Sequence, residues 1–281
     1  MMRYGGNTSC VSIEVGTDKT LVLDAGSGIR NLGKTLLERS GDILVLISHI
    51  HWDHIQGFPF FDPIYQAGRR IYVFPSVKGR RAACAVIEQM DGAHFPVTPD
   101  KLPSRWEYVI DDEEAVLRDH GFEVSRLAVN HPGGSTGFRI EHGGRCVVYY
   151  PDNELDPPYE KTATFDEIAQ FCQGADLLIH DAMYVEEDMP LKHGWGHSLV
   201  SQACDLAVAA EAKRLILFHH DPDRTDDQLD AIEERARLWL RKRKIECAAA
   251  FDGLEVRLPV LQSSQTDSRR QPGGASSSQL T

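Results

Sequence analysis

The stretch that decides the fold reads Ser48-His49-Ile50-His51-Trp52-Asp53-His54. It directly follows the apolar run Ile43-Leu44-Val45-Leu46-Ile47, whose composition predicts a buried strand. Side chains two positions apart point to the same side of an extended chain, so His49 and His51 can bind one metal ion together. The C-terminal end of a buried strand is also where α/β proteins commonly place their chemistry.

Asp53 and His54 follow where the chain turns, and they can face a second ion beside the first. Imidazole nitrogens and carboxylate oxygens are common ligands of divalent transition metals. An alternative interpretation is a loop of hydrogen-bonded, inert histidines, which suits a single histidine better than a cluster. Four metal-binding side chains between residues 49 and 54, directly after an apolar strand, favour the metal site.

The composition is that of an ordinary globular protein, with 281 residues, 42% hydrophobic and 26% charged. The net charge of -12 argues against an extended nucleic-acid surface, which needs an excess of Lys and Arg. Six scattered cysteines without a Cys-x-x-Cys pair indicate buried apolar residues in a reducing compartment. No segment approaches 18 apolar residues, so we expect no membrane association and a cytoplasmic location.

Strands alternate with helices along the whole chain, which predicts one mixed α/β domain over residues 1–262. Strands are predicted at 11–15, 20–24, 43–48, 70–74, 106–110, 122–130, 137–142, 145–150, 176–179, 214–218, 248–251 and 255–258. Helices are predicted at 29–39, 60–66, 79–90, 165–172, 197–212 and 225–243. Residues 263–281 are rich in Ser, Gln and Gly and predict a disordered tail.

Three further metal-binding candidates each follow a predicted strand. His131 precedes the turn Pro132-Gly133-Gly134, Asp152 follows an apolar strand, and His219 follows another. Each has a plainer explanation as a turn residue or a strand-terminal side chain, but their recurrence at strand ends favours ligands. His220 is the alternative to His219, which we prefer because it directly follows the apolar residues.

The His-x-His-x-Asp-His pattern at residues 49–54 resembles the metal-binding signature of the metallo-β-lactamase superfamily. His131, Asp152 and His219 match later metal motifs of that superfamily, and the match runs from about Thr8 to Leu258. The resemblance implies an α/β fold built as a four-layer αββα sandwich. Relatives usually carry one more strand before the present start, so the usual first strand is expected to be missing.

The resemblance also implies two divalent metal ions with a hydroxide held between them. Zn²⁺ is the expected metal, and Mn²⁺ or Fe²⁺ would suit the same ligands. Asp152 is implied to bridge the two ions. The resemblance places His49, His51 and His131 on the first ion. It places Asp53, His54 and His219 on the second ion.

Asp24, in the phrase Leu23-Asp24-Ala25-Gly26, resembles a carboxylate that supports the ligand loop in this superfamily. It is implied to accept a hydrogen bond from that loop and to hold a ligand histidine in place. The alternative is a local role as a cap for the glycines that follow.

Two further phrases resemble the phosphodiesterase and tRNase Z-like branch. These are His180-Asp181-Ala182-Met183 and Gly194-Trp195-Gly196-His197-Ser198, in which Asp181 stands where tRNase Z-type nucleases have Glu. His197 is expected to open a helix and to donate a proton or hold a phosphate oxygen, with Asp181 orienting it. The phrases at residues 3–10 and 51–57 resemble a bacterial subgroup described as cyclic-nucleotide phosphodiesterase-like.

The predicted function is therefore a dinuclear metal-dependent hydrolase, a phosphodiesterase acting on a small nucleotide-like substrate. Asp53, His197 and Asp181 are the expected catalytic residues, with Asp53 and His197 handling proton transfers. The alternatives are a same-fold hydrolase of a lactone, thioester or β-lactam, a tRNase Z-like ribonuclease, and a non-catalytic metal-binding sensor. By analogy with the superfamily, a homodimer is an assembly to be tested.

Overall fold

A computed structural model describes residues 3–75 and 85–259 of the chain. Residues 79–84 of the helix predicted at 79–90, and the tail predicted at 263–281, lie outside the described residues. The domain boundary after residue 262 lies outside them too and stays a prediction.

Eleven strands within the described residues form two mixed sheets. The first sheet has the order β1-β2-β3-β4-β5, with bounds Val11–Val15, Lys19–Leu23, Ile43–Leu46, Arg70–Phe74 and Arg105–Tyr108. The second sheet contains β6 Glu123–Val129, β7 Ser135–His142, β8 Arg145–Tyr150, β9 Leu177–Asp181, β10 Arg214–Phe218 and β11 Glu246–Ala249. It has the order β11-β10-β9-β8-β7-β6. The central strands β2, β3 and β4 are parallel, as are β8, β9, β10 and β11.

The helices occupy the connections between these strands. They are α1 Ile29–Leu36, α2 Trp52–Ile55, α3 at residues 85–88, α4 Glu113–Asp119, α5 Phe165–Phe171, α6 Val200–Ala209 and α7 Asp226–Arg241. Two single 3₁₀ turns, Phe58–Phe60 and Asp62–Tyr65, follow α2. Among the described helices, none is long and apolar enough to cross a membrane.

Three buried apolar clusters define the layers. Leu21, Leu44 and Tyr149 belong to the cluster between the two sheets. A second cluster packs α1 against the outer face of the first sheet, and a third packs α5, α6 and α7 against the outer face of the second. Successive side chains of β3 alternate between two of these clusters, which explains why that strand is apolar throughout. The predicted αββα sandwich is confirmed.

Three sequence-based predictions of secondary structure are wrong. The helix predicted at 60–66 is replaced by the two 3₁₀ turns given above, because Phe61 between them is extended. Residues 255–258 make no strand, although Val256 and Leu258 pack against the core cluster between the sheets. The helix expected to open at His197 begins at Val200, because Tyr184 and Leu199 form a β-bridge that keeps the preceding residues extended. The remaining predicted strands are present, with ends shifted by a few residues at most.

Candidate metal centre

The first group of candidate ligands contains His49, His51, His131 and Asp152, whose donor atoms lie within 4.8 Å of one another. His51 Nδ1 lies 3.0 Å from His49 Nε2 and 3.1 Å from His131 Nε2. His49 Nε2 lies 3.5 Å from Asp152 Oδ2. His49 and His51 follow β3, His131 follows β6, and Asp152 follows β8.

The second group contains Asp53, His54, Asp152 and His219. His54 Nε2 lies 3.4 Å from Asp53 Oδ2 and 3.1 Å from Asp152 Oδ1. His219 Nε2 lies 3.2 Å from Asp53 Oδ2 and 3.4 Å from Asp152 Oδ1. The two oxygens of Asp152 therefore face different groups, which is the arrangement that a bridging carboxylate needs.

The backbone turns sharply where these residues leave their strands. Asp152 follows β8 with φ 44°, and His219 follows β10 with φ 60°. Asp and His are among the residues that tolerate the left-handed region best. Such conformations cost about 1–3 kcal/mol each and concentrate at functional sites. Here they turn the two side chains toward the opposite sheet.

These separations fit a pair of metal ions. Ligands about 2.0–2.2 Å from a tetrahedral zinc ion lie roughly 3.3–3.6 Å from one another. The separations above run from 3.0 to 3.5 Å. Within residues 3–75 and 85–259, His54 Nε2 and Asp152 Oδ1 are buried and have no hydrogen-bond partner. A buried polar atom left in that state costs about 1–3 kcal/mol, which a bound cation would relieve.

Burial and charge make the two groups electrostatically different. In the first group, burial lowers the pKa of His49 to about 2 and also lowers the pKa of His131. Both imidazoles are therefore neutral, which is the state that binds metal. Their lone pairs are available without the loss of a proton.

The second group attracts positive charge. Burial opposes protonation of His219, but Asp152 and Asp53 outweigh it and raise the pKa of His219 to about 9. Burial likewise opposes protonation of His54, yet Asp152 and Asp24 raise its pKa. Burial opposes ionisation of Asp152 and Asp53, but the neighbouring histidines hold both carboxyl pKa values below the usual range. A metal cation would occupy this region in place of protons.

Asp24 supports the ligand loop from behind. Its buried carboxylate accepts hydrogen bonds from the Ser48 amide at 2.6 Å, the Ser48 hydroxyl at 2.7 Å, His54 Nδ1 at 2.8 Å and the Tyr149 hydroxyl at 2.7 Å. The bond to Nδ1 leaves Nε2 of His54 as the nitrogen that faces the second group. This contact places a carboxylate behind a candidate ligand, the arrangement that orients metal-binding histidines.

Asp181 and His197 lie beside the second group. Nδ1 of His197 donates to Asp181 Oδ2 at 2.6 Å, and Asp181 Oδ1 accepts from the amides of Ser198 and Met183. Donor atoms of Asp181 and His197 lie within 4.8 Å of those of Asp152 and His219. The ring of His197 stacks on that of His219 with centroids 4.9 Å apart.

The structure brings all the predicted site residues together, and it separates His219 from its alternative. His220 turns away from the cluster, and its Nε2 donates to the Ala250 carbonyl at 3.0 Å. The sequence analysis missed Glu154, whose buried carboxylate binds the loop that carries His197. Its position two residues after Asp152, in a stretch otherwise rich in Pro and Asp, was the available signal.

Comparison with known families agrees with this architecture. The family model described as "Beta-lactamase superfamily domain" matches residues 19–220, most of the chain. The chain therefore belongs to this superfamily, and the predicted family is confirmed. With the fold and the two ligand groups described above, the protein is a metallo-β-lactamase-fold hydrolase.

Individual relatives and solved structures resemble the chain over most of its length. The ribonuclease Z of Bacillus velezensis is 24% identical over 258 residues, covering 75% of this chain and 80% of the relative. The metallo-β-lactamase fold protein YhfI from Bacillus subtilis superposes with a TM-score of 0.62 at 22% identity, covering 88% of this chain and 90% of the other. A diphosphatase from the PhnP family superposes with a TM-score of 0.61 at 16% identity, covering 91% and 86%.

Proposed function

We propose that this protein is a dinuclear metal-dependent phosphodiesterase that cleaves a small nucleotide-like phosphodiester. The observation that carries the proposal is the pair of four-donor groups that share the two oxygens of Asp152. When bound, two divalent ions would supply positive charge for a phosphate and lower the pKa of a water molecule. Zn²⁺ is the metal we propose, because imidazole and carboxylate ligands suit it.

The chain's own residues would handle the proton transfers. The bond from His197 Nδ1 to Asp181 leaves Nε2 of His197 as its second functional nitrogen. In its protonated form, Nε2 can donate to the leaving oxygen of the diester. The bond from Nδ1 to Asp181 holds the ring in the orientation needed for this donation. Asp53, whose carboxylate is partly exposed, can accept a proton from the attacking water.

The nucleotide-like part of the proposal rests on exposed aromatic residues near the candidate ligands. Trp52 follows His51 directly and is 65% exposed, and Trp195 lies two positions before His197 and is 57% exposed. Exposed tryptophan rings beside a phosphate site are suited to stacking against a nucleobase, which contributes about 1–3 kcal/mol per base.

A ribonuclease acting on structured RNA is the second candidate. Several relatives named ribonuclease Z, at 23–25% identity, favour it. The net charge of -12 disfavours it, because a large polyanion is bound mainly through Lys and Arg contacts to its phosphates.

The decisive experiment loads the protein with Zn²⁺, Mn²⁺ or Fe²⁺. Turnover is then measured on bis(p-nitrophenyl) phosphate, cyclic nucleotides, a lactone, and a precursor tRNA. We expect turnover of the small diesters that is lost in Asp152→Ala together with bound metal. Faster cleavage of the tRNA would favour the ribonuclease. Hydrolysis of the lactone alone, or diester turnover that survives Asp152→Ala, would refute the proposal.

The aromatic contribution has its own test. Trp52→Ala and Trp195→Ala are expected to raise KM for a cyclic nucleotide by about 5- to 150-fold, the equivalent of one stacked base. KM for a dialkyl phosphodiester should stay unchanged. Leu238→Ala serves as the matched control, because Leu238 is also an exposed apolar residue but lies on α7, away from the two tryptophans in the sequence. Equal effects on both substrates would argue against nucleobase stacking.

A further inference from the structure

Glu154 carries a buried carboxylate that the ligand groups do not use. Its side chain is almost fully buried, and each oxygen accepts one backbone amide from the same loop. Oε1 accepts from Gly194 at 2.8 Å, and Oε2 accepts from Gly196 at 2.8 Å. Hydrogen bonds from amides to a carboxylate are about twice as strong as neutral ones. Glu154 therefore anchors the segment that leads into His197.

This segment lies directly against His131. Gly196 has φ +92°, and a Cβ atom built on it would lie 2.3 Å from His131 Nδ1. The carbonyl of Gly196 accepts a hydrogen bond from His131 Nδ1 at 3.0 Å. Only glycine allows the backbone to adopt this conformation so close to the ring.

The orientation of the Gly196 carbonyl decides which His131 nitrogen carries the proton. A carbonyl can only accept, so the contact requires hydrogen on Nδ1. Nε2 then keeps its lone pair, and it is the nitrogen that lies 3.1 Å from His51 in the first ligand group. The tautomer of a metal-binding histidine is set by the hydrogen bond on its other nitrogen in this way.

We propose that Glu154 is a positioning residue that fixes the tautomer of His131 through the backbone of Gly196. Its carboxylate holds the amide of Gly196, and the carbonyl of the same residue holds His131. We call these two hydrogen bonds, between Glu154 and Gly196 and between Gly196 and His131, the relay. The relay itself depends only on these residues, whereas its consequence for metal binding rests on the proposed metal centre.

A carboxylate is required because two amides must be accepted at once. Glutamine has the same shape, but its NH₂ group cannot accept, so one amide would lose its partner. His193 Nε2 lies 3.8 Å from Glu154 Oε1, but it donates to the Asp156 carbonyl at 2.9 Å and offers no substitute acceptor. Glu154→Gln therefore perturbs the relay with little change in volume.

Asp176 provides a matched control. It is also a buried carboxylate in the second half of the chain, and it accepts the Cys146 amide at 2.9 Å. It also pairs with Arg145 and Lys213. In the described part of the chain, the side chain of Asp176 contacts none of the candidate ligands. Asp176→Asn therefore matches the loss of a buried charge and leaves the relay intact.

The first measurement uses the metal-free protein. Nitrogen-15 NMR of the His131 ring reports its tautomer, and hydrogen exchange reports the Gly194 and Gly196 amides. For Glu154→Gln we expect faster exchange at one or both amides and a mixture of His131 tautomers. For Asp176→Asn we expect the wild-type pattern at all three positions.

The second measurement is Zn²⁺ affinity by competition with a chromophoric chelator. Loss of a partner that orients a ligand typically lowers metal affinity about 10- to 100-fold, and we expect that loss in Glu154→Gln but not in Asp176→Asn. If Glu154→Gln does not fold, Gly194→Ala strains the same loop, because φ is +88° there and the added Cβ would lie 3.0 Å from Pro158. The same shifts are then expected in smaller size.

An unchanged His131 tautomer in these variants would overturn the inference, even if the loop amides exchanged faster. Altered tautomers with wild-type Zn²⁺ affinity would overturn the consequence for the metal. A wild-type protein that binds no Zn²⁺ would refute the proposed function instead, and the NMR result would still decide the relay.

Discussion

Asp24→Asn is the most informative single substitution outside the candidate ligands. The carboxylate accepts four hydrogen bonds from three residues, Ser48, His54 and Tyr149. Asparagine preserves its shape but presents one NH₂ group in place of an oxygen. The two hydroxyl groups can rotate and accept, whereas the Ser48 amide can only donate and will keep the remaining oxygen.

His54 must then respond to the new donor. Its Nδ1 can accept from the asparagine NH₂ only if the proton moves to Nε2, which faces the second ligand group. A protonated Nε2 cannot bind a metal. We therefore expect metal affinity to fall about 10- to 100-fold. The exchange of one charge-assisted bond for a neutral one should cost about 1–3 kcal/mol of unfolding free energy.

The assay measures the metal affinity by chelator competition and the stability of the metal-free protein by urea unfolding. Tyr149→Phe is the control, because it removes one donor to Asp24 and leaves the bond to His54 intact. It should lower stability by about 1 kcal/mol and keep metal affinity. Wild-type affinity in Asp24→Asn, or equal affinity losses in both variants, would refute the reasoning.

His219→Ala should release one of two bound ions, as measured by elemental analysis, whereas His220→Ala should retain both, and equal losses would contradict the assignment. A chelator should lower the melting temperature of the wild-type protein but not that of Asp152→Ala; a similar drop in both would speak against a shared ligand. Burial alone would raise the carboxyl pKa of Asp176, but its hydrogen-bond and ion-pair partners outweigh burial and lower the pKa. The contribution of Asp176 to stability is therefore present above the unfolded pKa near 3.9, and it is lost as the pH falls through the lower folded value. Asp176→Asn should therefore cost about 1–3 kcal/mol at neutral pH and progressively less below pH 4; a pH-independent difference would contradict this.

Strand positions were predictable because burial on both faces leaves a continuous apolar run. Residues 70–74, 145–150 and 214–218 form strands with the predicted bounds. Most candidate ligands were predictable for the same reason, since they follow the apolar strands β3, β8 and β10. His131 instead follows the edge strand β6, whose residues are mostly exposed or half-buried. Local sequence patterns indicate well where such apolar strands end, and parallel neighbouring strands then bring these ends to one edge of the sheet.

The errors at residues 255–258 and at His197 depend on hydrogen bonds with distant residues, which are missing in the first case and present in the second. Residues 255–258 have the alternating pattern of a strand and half-bury alternate side chains, but among the described residues they have no ladder partner. The helix expected at His197 starts later because the Ser198 hydroxyl and amide bind Asn153 and Asp181 instead of helical partners. Such contacts join residues that are well separated along the chain, and no local pattern encodes them.

The ligand groups also have a consequence for biosynthesis. Their donors are spread from His49 to His219, across both sheets. A nascent polypeptide emerging from the ribosome will therefore lack a complete set until β10 has been synthesised. Early metal capture by the first histidines would leave the ion only partly coordinated and free to exchange. Completion of the proposed metal pair is thus expected only after His219 has been synthesised and the two halves of the domain have docked.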